Sequence, residues 1–207
     1  MALFVDQIVE GRHNYSLFAV ECCGYVSEHA LENRAGELKP PKKSLRLPGV
    51  KQPKETRYFF DNARALARIA ADKQANLGDD VVAVLFRDSD GTASAERGRW
   101  EDQRTSMLHG FDEGRFARGV PVIPKPKSEA WIIAGITGSP NQGGKSLEDW
   151  SGNDKSPNSL KGELGKMLGE YPPAETQCEM VRKRQIDYEK IILPSFTAFK
   201  DRLIEVI

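Results

Sequence analysis

Residues Val81 to Thr92 read V-V-A-V-L-F-R-D-S-D-G-T and contain the clearest strand signal of the chain. Six consecutive apolar residues, half of them valine, predict a strand that is buried on both faces, as in a parallel sheet. The run stops at Arg87, and Asp88 and Asp90 follow before a turn at Gly91. Because open α/β sheets bind ligands at the carboxyl ends of their strands, the two aspartates mark a candidate site. An ordinary Asp-Gly turn is the alternative interpretation.

The composition limits the class of protein. The chain has 207 residues, enough for one domain with a sizeable core, and its Lys plus Arg and Asp plus Glu totals are both 30. The net charge therefore does not indicate a nucleic-acid partner. Three cysteines and three histidines predict neither a disulfide framework nor a structural zinc site. No apolar run is long enough to span a membrane and no signal peptide is recognisable, so we expect a cytoplasmic protein.

Strand and helix patterns alternate along the first two thirds of the chain, which is typical of an α/β fold. We predict a mostly parallel sheet of about four or five strands, flanked by helices. The predicted elements are a strand or packing arm at 2–9, a strand at 16–22, helices at 25–34 and 56–78, the central strand, a helix at 96–109, a strand at 120–124 and a helix that Ser128 caps.

The chain divides into three parts by composition. Residues 1–136 form the predicted α/β core. Residues 137–158 are rich in Gly, Ser, Pro, Asn and Lys, which predicts a flexible loop or lid. Residues 159–207 carry helical repeats of leucine and phenylalanine, and we expect their helices to pack on the core.

Carboxylates follow three of the predicted strands, and we expect the later ones to lie at one edge of the sheet. They are Glu21, with Glu28 and Glu10 as alternatives, the pair Asp88 and Asp90, and Glu129. Their hard oxygen atoms suit Mg²⁺, Mn²⁺ or Ca²⁺ rather than zinc. For Glu129, a negative charge that stabilises the start of a helix is an equally good explanation.

Two segments, F-R-D-S-D-G-T at 86–92 and V-P-V-I-P-K-P-K-S-E-A-W-I-I-A at 120–134, resemble small TOPRIM-like proteins related to the nuclease half of the OLD family. TOPRIM is the fold shared by topoisomerases, primases and related nucleases. The resemblance covers roughly residues 16–135 and implies a divalent-metal-dependent nuclease of the kind met in phage defence. In one respect the chain departs from the family, because Cys22 rather than glycine follows Glu21.

The resemblance also implies roles for individual residues. The acids would hold Mg²⁺ or Mn²⁺, namely Asp88, Asp90, Glu129 and Glu21. Lys127 would join them as a catalytic residue, and Lys125 and Lys127 would bind the scissile phosphate. A basic segment would bind the backbone of DNA or RNA through residues such as Lys42, Lys43 and Arg46. A solvated loop is the alternative for these lysines. An ATPase protein partner and a homo-oligomeric state are both compatible with this interpretation.

Two other functions fit parts of the sequence. HAD-type phosphatases carry D-x-D-G-T after an apolar strand, which residues 83–92 nearly reproduce. In that family the first aspartate, here Asp88, is a nucleophile and the second a general acid. Against this interpretation, no later strand ends in the paired acids that the phosphatases need. A non-catalytic TOPRIM-like binding subunit is the third possibility, with exposed Trp100 and Trp150 as anchors.

Overall fold

The computed structural model describes residues 1–38, 56–89 and 99–207, in which a small parallel sheet lies between two layers of helices. The α-helices are α1 Ala2–His13, α2 Glu28–Glu37, α3 Arg57–Leu77, α4 Trp100–Glu113, α5 Ser128–Thr137, α6 Leu160–Leu168, α7 Ala174–Arg182 and α8 Pro194–Val206. The strands are β1 Ala83–Phe86, β2 Gly119–Val122, β3 Asn141–Gln142 and β4 Lys145–Ser146.

Strands β1 and β2 run parallel, with Ala83 opposite Gly119 and Phe86 opposite Val122. Helix α4 lies between them in the chain, since parallel neighbours need a long crossover. The pairing continues beyond β1, because Ser89 N–H donates a hydrogen bond of 3.1 Å to the carbonyl oxygen of Pro124. The carboxyl ends of the two strands are therefore held side by side.

The two faces of the sheet contact different hydrophobic clusters. Val84, Val120 and Val122 face the cluster built by α1, α5, α6 and α8, with Trp131 at its centre. Ala83 and Leu85 of β1 face the cluster of α2, α3 and α4. Successive side chains of a strand point to opposite faces, so a strand covered on both faces must be apolar throughout. The prediction that both faces of the central strand are covered is confirmed in part, since Ala83 and Leu85 are buried and Val84 is partly buried, whereas Phe86 at the strand end is 40% exposed.

The coarse fold class is confirmed, as the protein is an α/β structure that is mostly helical. The predicted four or five strands are not found among the described residues, whose parallel sheet has two strands, with β3 and β4 as a separate antiparallel pair. Helices supply most of the cover on both faces of this small sheet.

Two predictions near the start of the chain are wrong. Residues 2–9 belong to helix α1, in which Phe4 and Ile8 are buried one turn apart. Residues 17–21, predicted as a strand, form turns. The buried carboxylate of Asp6 holds these turns, because it accepts hydrogen bonds from the Ser16 hydroxyl at 3.0 Å and from Leu17 N–H at 2.6 Å. A short apolar run cannot distinguish strand from helix by periodicity alone.

Most later elements agree with the sequence predictions. Helix α3 follows Thr56 and ends at Gly78, whose φ of 67° requires the left-handed region that glycine tolerates. The predicted lid at 137–158 contains β3, β4 and a 3₁₀ turn in which Leu147 is fully buried. Helix α5 begins at the predicted Ser128, but its N-cap residue is Lys127. No helix in the described ranges is long and apolar enough to cross a membrane.

Candidate functional site

Asp88 joins the tip of β1 to the start of α5. Its Oδ1 atom accepts a hydrogen bond of 3.0 Å from Ser128 N–H, one of the donors that a helix N-terminus leaves without an intrahelical partner. The carboxylate also lies at the positive end of the α5 dipole, which favours its negative charge. Asp88 is half-buried.

The negative charge of Asp88 also acts on the amino group of Met1. Burial lowers the pKa of this amino group, and the nearby charges of Cys178 and Asp88 act in the opposite direction.

Ser89 fixes the strand tip against its surroundings. It is buried, and its hydroxyl donates a hydrogen bond of 3.1 Å to the carbonyl oxygen of Pro126. Its own carbonyl oxygen accepts a hydrogen bond of 3.2 Å from the Gln103 side chain on α4. These bonds attach the end of β1 both to α4 and to the segment between β2 and α5. They therefore fix the backbone next to Asp88.

Glu129 is the second residue of α5 and only 9% exposed. Its Oε1 atom accepts a hydrogen bond of 3.1 Å from the Tyr171 hydroxyl. No basic side chain of the described residues forms an ion pair with it. Burial of a carboxylate without an opposite charge is unfavourable, and the helix dipole and a neutral hydroxyl offset only part of that cost. Glu129 therefore has the environment of a group that a cation would stabilise.

A second set of charges borders Glu129. Lys127 Nζ lies 2.9 Å from Asp154 Oδ1, and Lys161 Nζ lies 4.6 Å from the centre of the Tyr171 ring. The hydrogen bond from Lys127 holds the pKa of Asp154 below its usual value, and the charge of Lys161 contributes in the same direction. Burial raises the pKa of Tyr171, and the charges of Glu129 and Asp154 raise it further.

Tyr171, Asp154 and Lys161 are absent from the site that the sequence predicts. Asp154 contacts Lys127 from 27 residues away and Tyr171 contacts Glu129 from 42 residues away, while Lys161 lies over the Tyr171 ring. Nothing in the local pattern around Tyr171 marks it as a partner of Glu129. The signal that could have found it is the burial of Glu129, which requires a donor from elsewhere in the fold.

Of the four predicted metal-binding acids, the structure brings Asp88 and Glu129 to the same helix start. Glu21 lies in an exposed turn, at a φ of 55°. No group of three or more His, Cys, Asp or Glu side chains that could hold a metal ion occurs within residues 1–38, 56–89 and 99–207. Glu21 therefore does not complete a three-acid group with the other two.

The remaining predicted residues fall into two sets. Lys125 and Lys127 lie in the segment between β2 and α5, and both are half-buried. The others lie outside the described residues, namely Asp90, Lys42, Lys43 and Arg46. The proposed contribution of Asp90 to a metal site stays a prediction.

Glu28, one of the alternatives to Glu21, belongs to a different cluster. It is the first residue of α2, and its Oε1 atom lies 2.9 Å from an Arg87 guanidinium nitrogen and 3.0 Å from the Tyr58 hydroxyl. Arg87 also stacks on the Tyr58 ring at 5.1 Å. The Tyr58 hydrogen bond and Arg87 lower the pKa of Glu28. Glu10, the other alternative, is exposed on α1.

The two tryptophans proposed as exposed anchors are instead half-buried. Trp100 donates a hydrogen bond of 2.7 Å from Nε1 to the carbonyl oxygen of Ile123, and Trp150 packs against the cluster around Trp131. An aromatic ring that already contacts the core offers less area to a partner. This weakens the interpretation of the protein as a binding subunit.

No protein-family model matches this chain, and comparisons with curated proteins and with solved structures find no match.

Proposed function

We propose that the protein is a divalent-metal-dependent nuclease that cleaves phosphodiester bonds. The observation that carries this proposal is the environment of Glu129, a buried carboxylate without a basic partner in the described part of the chain. It lies one residue from the N–H group that binds Asp88. A divalent cation between such acids would compensate the buried charge, and carboxylate oxygens are the ligands that Mg²⁺ and Mn²⁺ prefer.

Asp88 and Glu129 would hold the metal ion, and Asp90 would join them from the residues that follow β1. When bound, the ion would activate water and stabilise the leaving oxygen of the phosphodiester. Tyr171 holds the Glu129 carboxylate in place through its hydroxyl. Lys127, at the same edge, would bind the substrate phosphate.

The TOPRIM-like assignment is part of this proposal. The order β1, aspartate, α4, β2, glutamate, α5 fits the later portion of that pattern, in which acids follow neighbouring parallel strands. The basic segment that includes Lys42, Lys43 and Arg46 would bind the DNA or RNA backbone. A separate ATPase chain would supply any nucleotide-driven step, as in the phage-defence systems that the resemblance suggests.

The test is cleavage of labelled DNA and RNA with Mg²⁺ or Mn²⁺ by wild type, Asp88→Asn and Glu129→Gln. We expect the cleavage rate of both variants to fall at least about 100-fold. At 1.36 kcal/mol per factor of ten, this fall corresponds to a loss of about 2.7 kcal/mol of transition-state stabilisation. The matched control is Glu28→Gln, which removes an equally negative side chain from the first turn of α2 and should change the rate less than about twofold.

Two outcomes would contradict the proposal. Cleavage that survives Glu129→Gln would remove Glu129 from the site. Turnover of a phosphomonoester that depends on Asp88 but not on Glu129 would favour the HAD-type phosphatase instead, because there the first aspartate acts as the nucleophile.

A further inference from the structure

An acidic side chain lies among basic groups at the same edge of the sheet. The Asp154 carboxylate accepts a hydrogen bond of 2.9 Å from Lys127 Nζ, and the charge of Lys161 also acts on it. Lys161 itself lies over the ring of Tyr171, whose hydroxyl binds Glu129. Asp154 is thus an anion paired with Lys127, and the charge of Lys161, which lies over the tyrosine that binds Glu129, also acts on it.

The loop that carries Asp154 is closed at its base and exposed at its tip. Ser151 and Ser159 form a bridge that joins the two ends of the loop, and Lys155 N–H binds the Asn153 side chain at 3.0 Å. The Asp154 side chain is 50% exposed, whereas the Lys127 side chain is only 19% exposed. Exposed ion pairs contribute little to stability, so water or another anion can replace Asp154 while Lys127 stays in place.

We propose that Asp154 occupies the position of a substrate phosphate, and that Lys127 and Lys161 bind a phosphate of the nucleic acid once Asp154 moves away. This inference rests on the proposed nuclease function, and it adds Lys161 as a substrate-binding residue and Asp154 as an internal competitor. Carboxylate and phosphate oxygens accept hydrogen bonds from the same ammonium donors, so one site serves both anions. The phosphate would then lie beside Glu129, where hydrolysis requires it.

The experiment measures binding of a fluorescently labelled single-stranded oligonucleotide by anisotropy, in EDTA and over a range of salt concentrations. Asp154→Asn removes the competing charge and should tighten binding about threefold. Lys161→Met should weaken binding and lower the magnitude of the salt slope by about 0.7, the value expected for one lost phosphate contact to a single strand. Lys155→Met is the matched control, since Lys155 is exposed in the same loop and should alter neither quantity.

The outcomes separate this inference from the nuclease proposal. If Asp154 merely anchors its loop, Asp154→Asn will leave binding unchanged or weaken it, and the inference is overturned. Equal effects of Lys161→Met and Lys155→Met, or no oligonucleotide binding by wild type and Asp154→Asn, would overturn it as well. Tighter binding by Asp154→Asn without cleavage by any variant would support the phosphate site and contradict the nuclease. Cleavage that is lost in Glu129→Gln, together with cleavage and binding that are unchanged in Asp154→Asn, would support the nuclease and contradict the phosphate site.

Discussion

Helices α2 and α5 each carry a glutamate in the first turn, and each glutamate accepts a hydrogen bond from a tyrosine hydroxyl. The two environments nevertheless differ. Glu28 is exposed and paired with Arg87, while Glu129 is buried and has no basic partner in the described ranges. A glutamate at almost the same helical position is therefore neutralised by a basic side chain in α2, whereas in α5 no basic side chain of the described residues neutralises it. A local helix-start pattern does not by itself identify a site.

The cause lies in how each helix is packed. Helix α2 buries only Leu31, whereas seven consecutive residues of α5, from Glu129 to Gly135, are buried. Trp131 anchors α5, as its ring stacks on Phe199 with centres 5.7 Å apart and its Nε1 donates a hydrogen bond of 2.8 Å to the Ser195 hydroxyl. Glu129 is buried because it belongs to a helix that the core surrounds.

The largest expected difference between the two helices is in stability. Trp131→Ala should lower the free energy of unfolding by about 3–5 kcal/mol, because it empties the centre of the larger cluster. Leu31→Ala should cost about 2 kcal/mol, the low end for leucine, as α2 is otherwise exposed. Thermal unfolding followed by circular dichroism should show a drop in midpoint of roughly 10 °C for the first and 5 °C for the second.

Cleavage activity measured below both midpoints provides the control for these variants. Folded Trp131→Ala should lose activity because Glu129 is no longer positioned, while folded Leu31→Ala should keep it. Equal losses in stability and in activity for the two variants would remove the distinction between the helices.

The next largest effect concerns the two glutamates in the absence of metal. Glu129→Gln should raise the free energy of unfolding by about 1 kcal/mol, because it removes a buried charge without a basic partner in the described part of the chain. Glu28→Gln should lower the unfolding midpoint slightly, because it breaks the ion pair with Arg87. Addition of Mn²⁺ should then raise the midpoint of wild type and of Glu28→Gln, but not that of Glu129→Gln. Midpoints that shift in the same direction for both variants without metal would contradict the comparison.

The smallest expected effect concerns the tyrosine that contacts each glutamate, at alkaline pH. Burial raises the pKa of Tyr171 above its ordinary value of 10.0, and the same holds for Tyr58. Because the folded pKa is the higher one, the protonated hydroxyls contribute stability that is complete below the unfolded pKa. That contribution is lost as the pH rises through the folded pKa. The ultraviolet absorbance of phenolate, compared between wild type and Tyr171→Phe, should place the Tyr171 transition above pH 10. A transition at or below its ordinary value would contradict the partly buried contact with Glu129.

Several elements could be predicted because their signals are local. Helices α3 and α8 show apolar residues at helical spacing, and β1 and β2 are short apolar runs bounded by turn residues. The predictions for the early segments were wrong because the structure there depends on contacts outside the segments. The predicted strand at 16–22 is a set of turns, because the buried Asp6 provides hydrogen-bond acceptors that no pattern within that stretch reveals.

The positions of Asp88 and Glu129 after two short apolar strands could be predicted from local patterns, and a parallel direction of those strands was enough to expect both acids at one edge of a sheet. Packing of distant segments was needed to show that Arg87 neutralises Glu28 and that Tyr171, rather than a basic residue of the described ranges, contacts Glu129. The same holds for the ion pair between Asp154 and Lys127. Strand ends follow from local periodicity, whereas the balance of a buried charge depends on side chains that packing brings from distant parts of the chain.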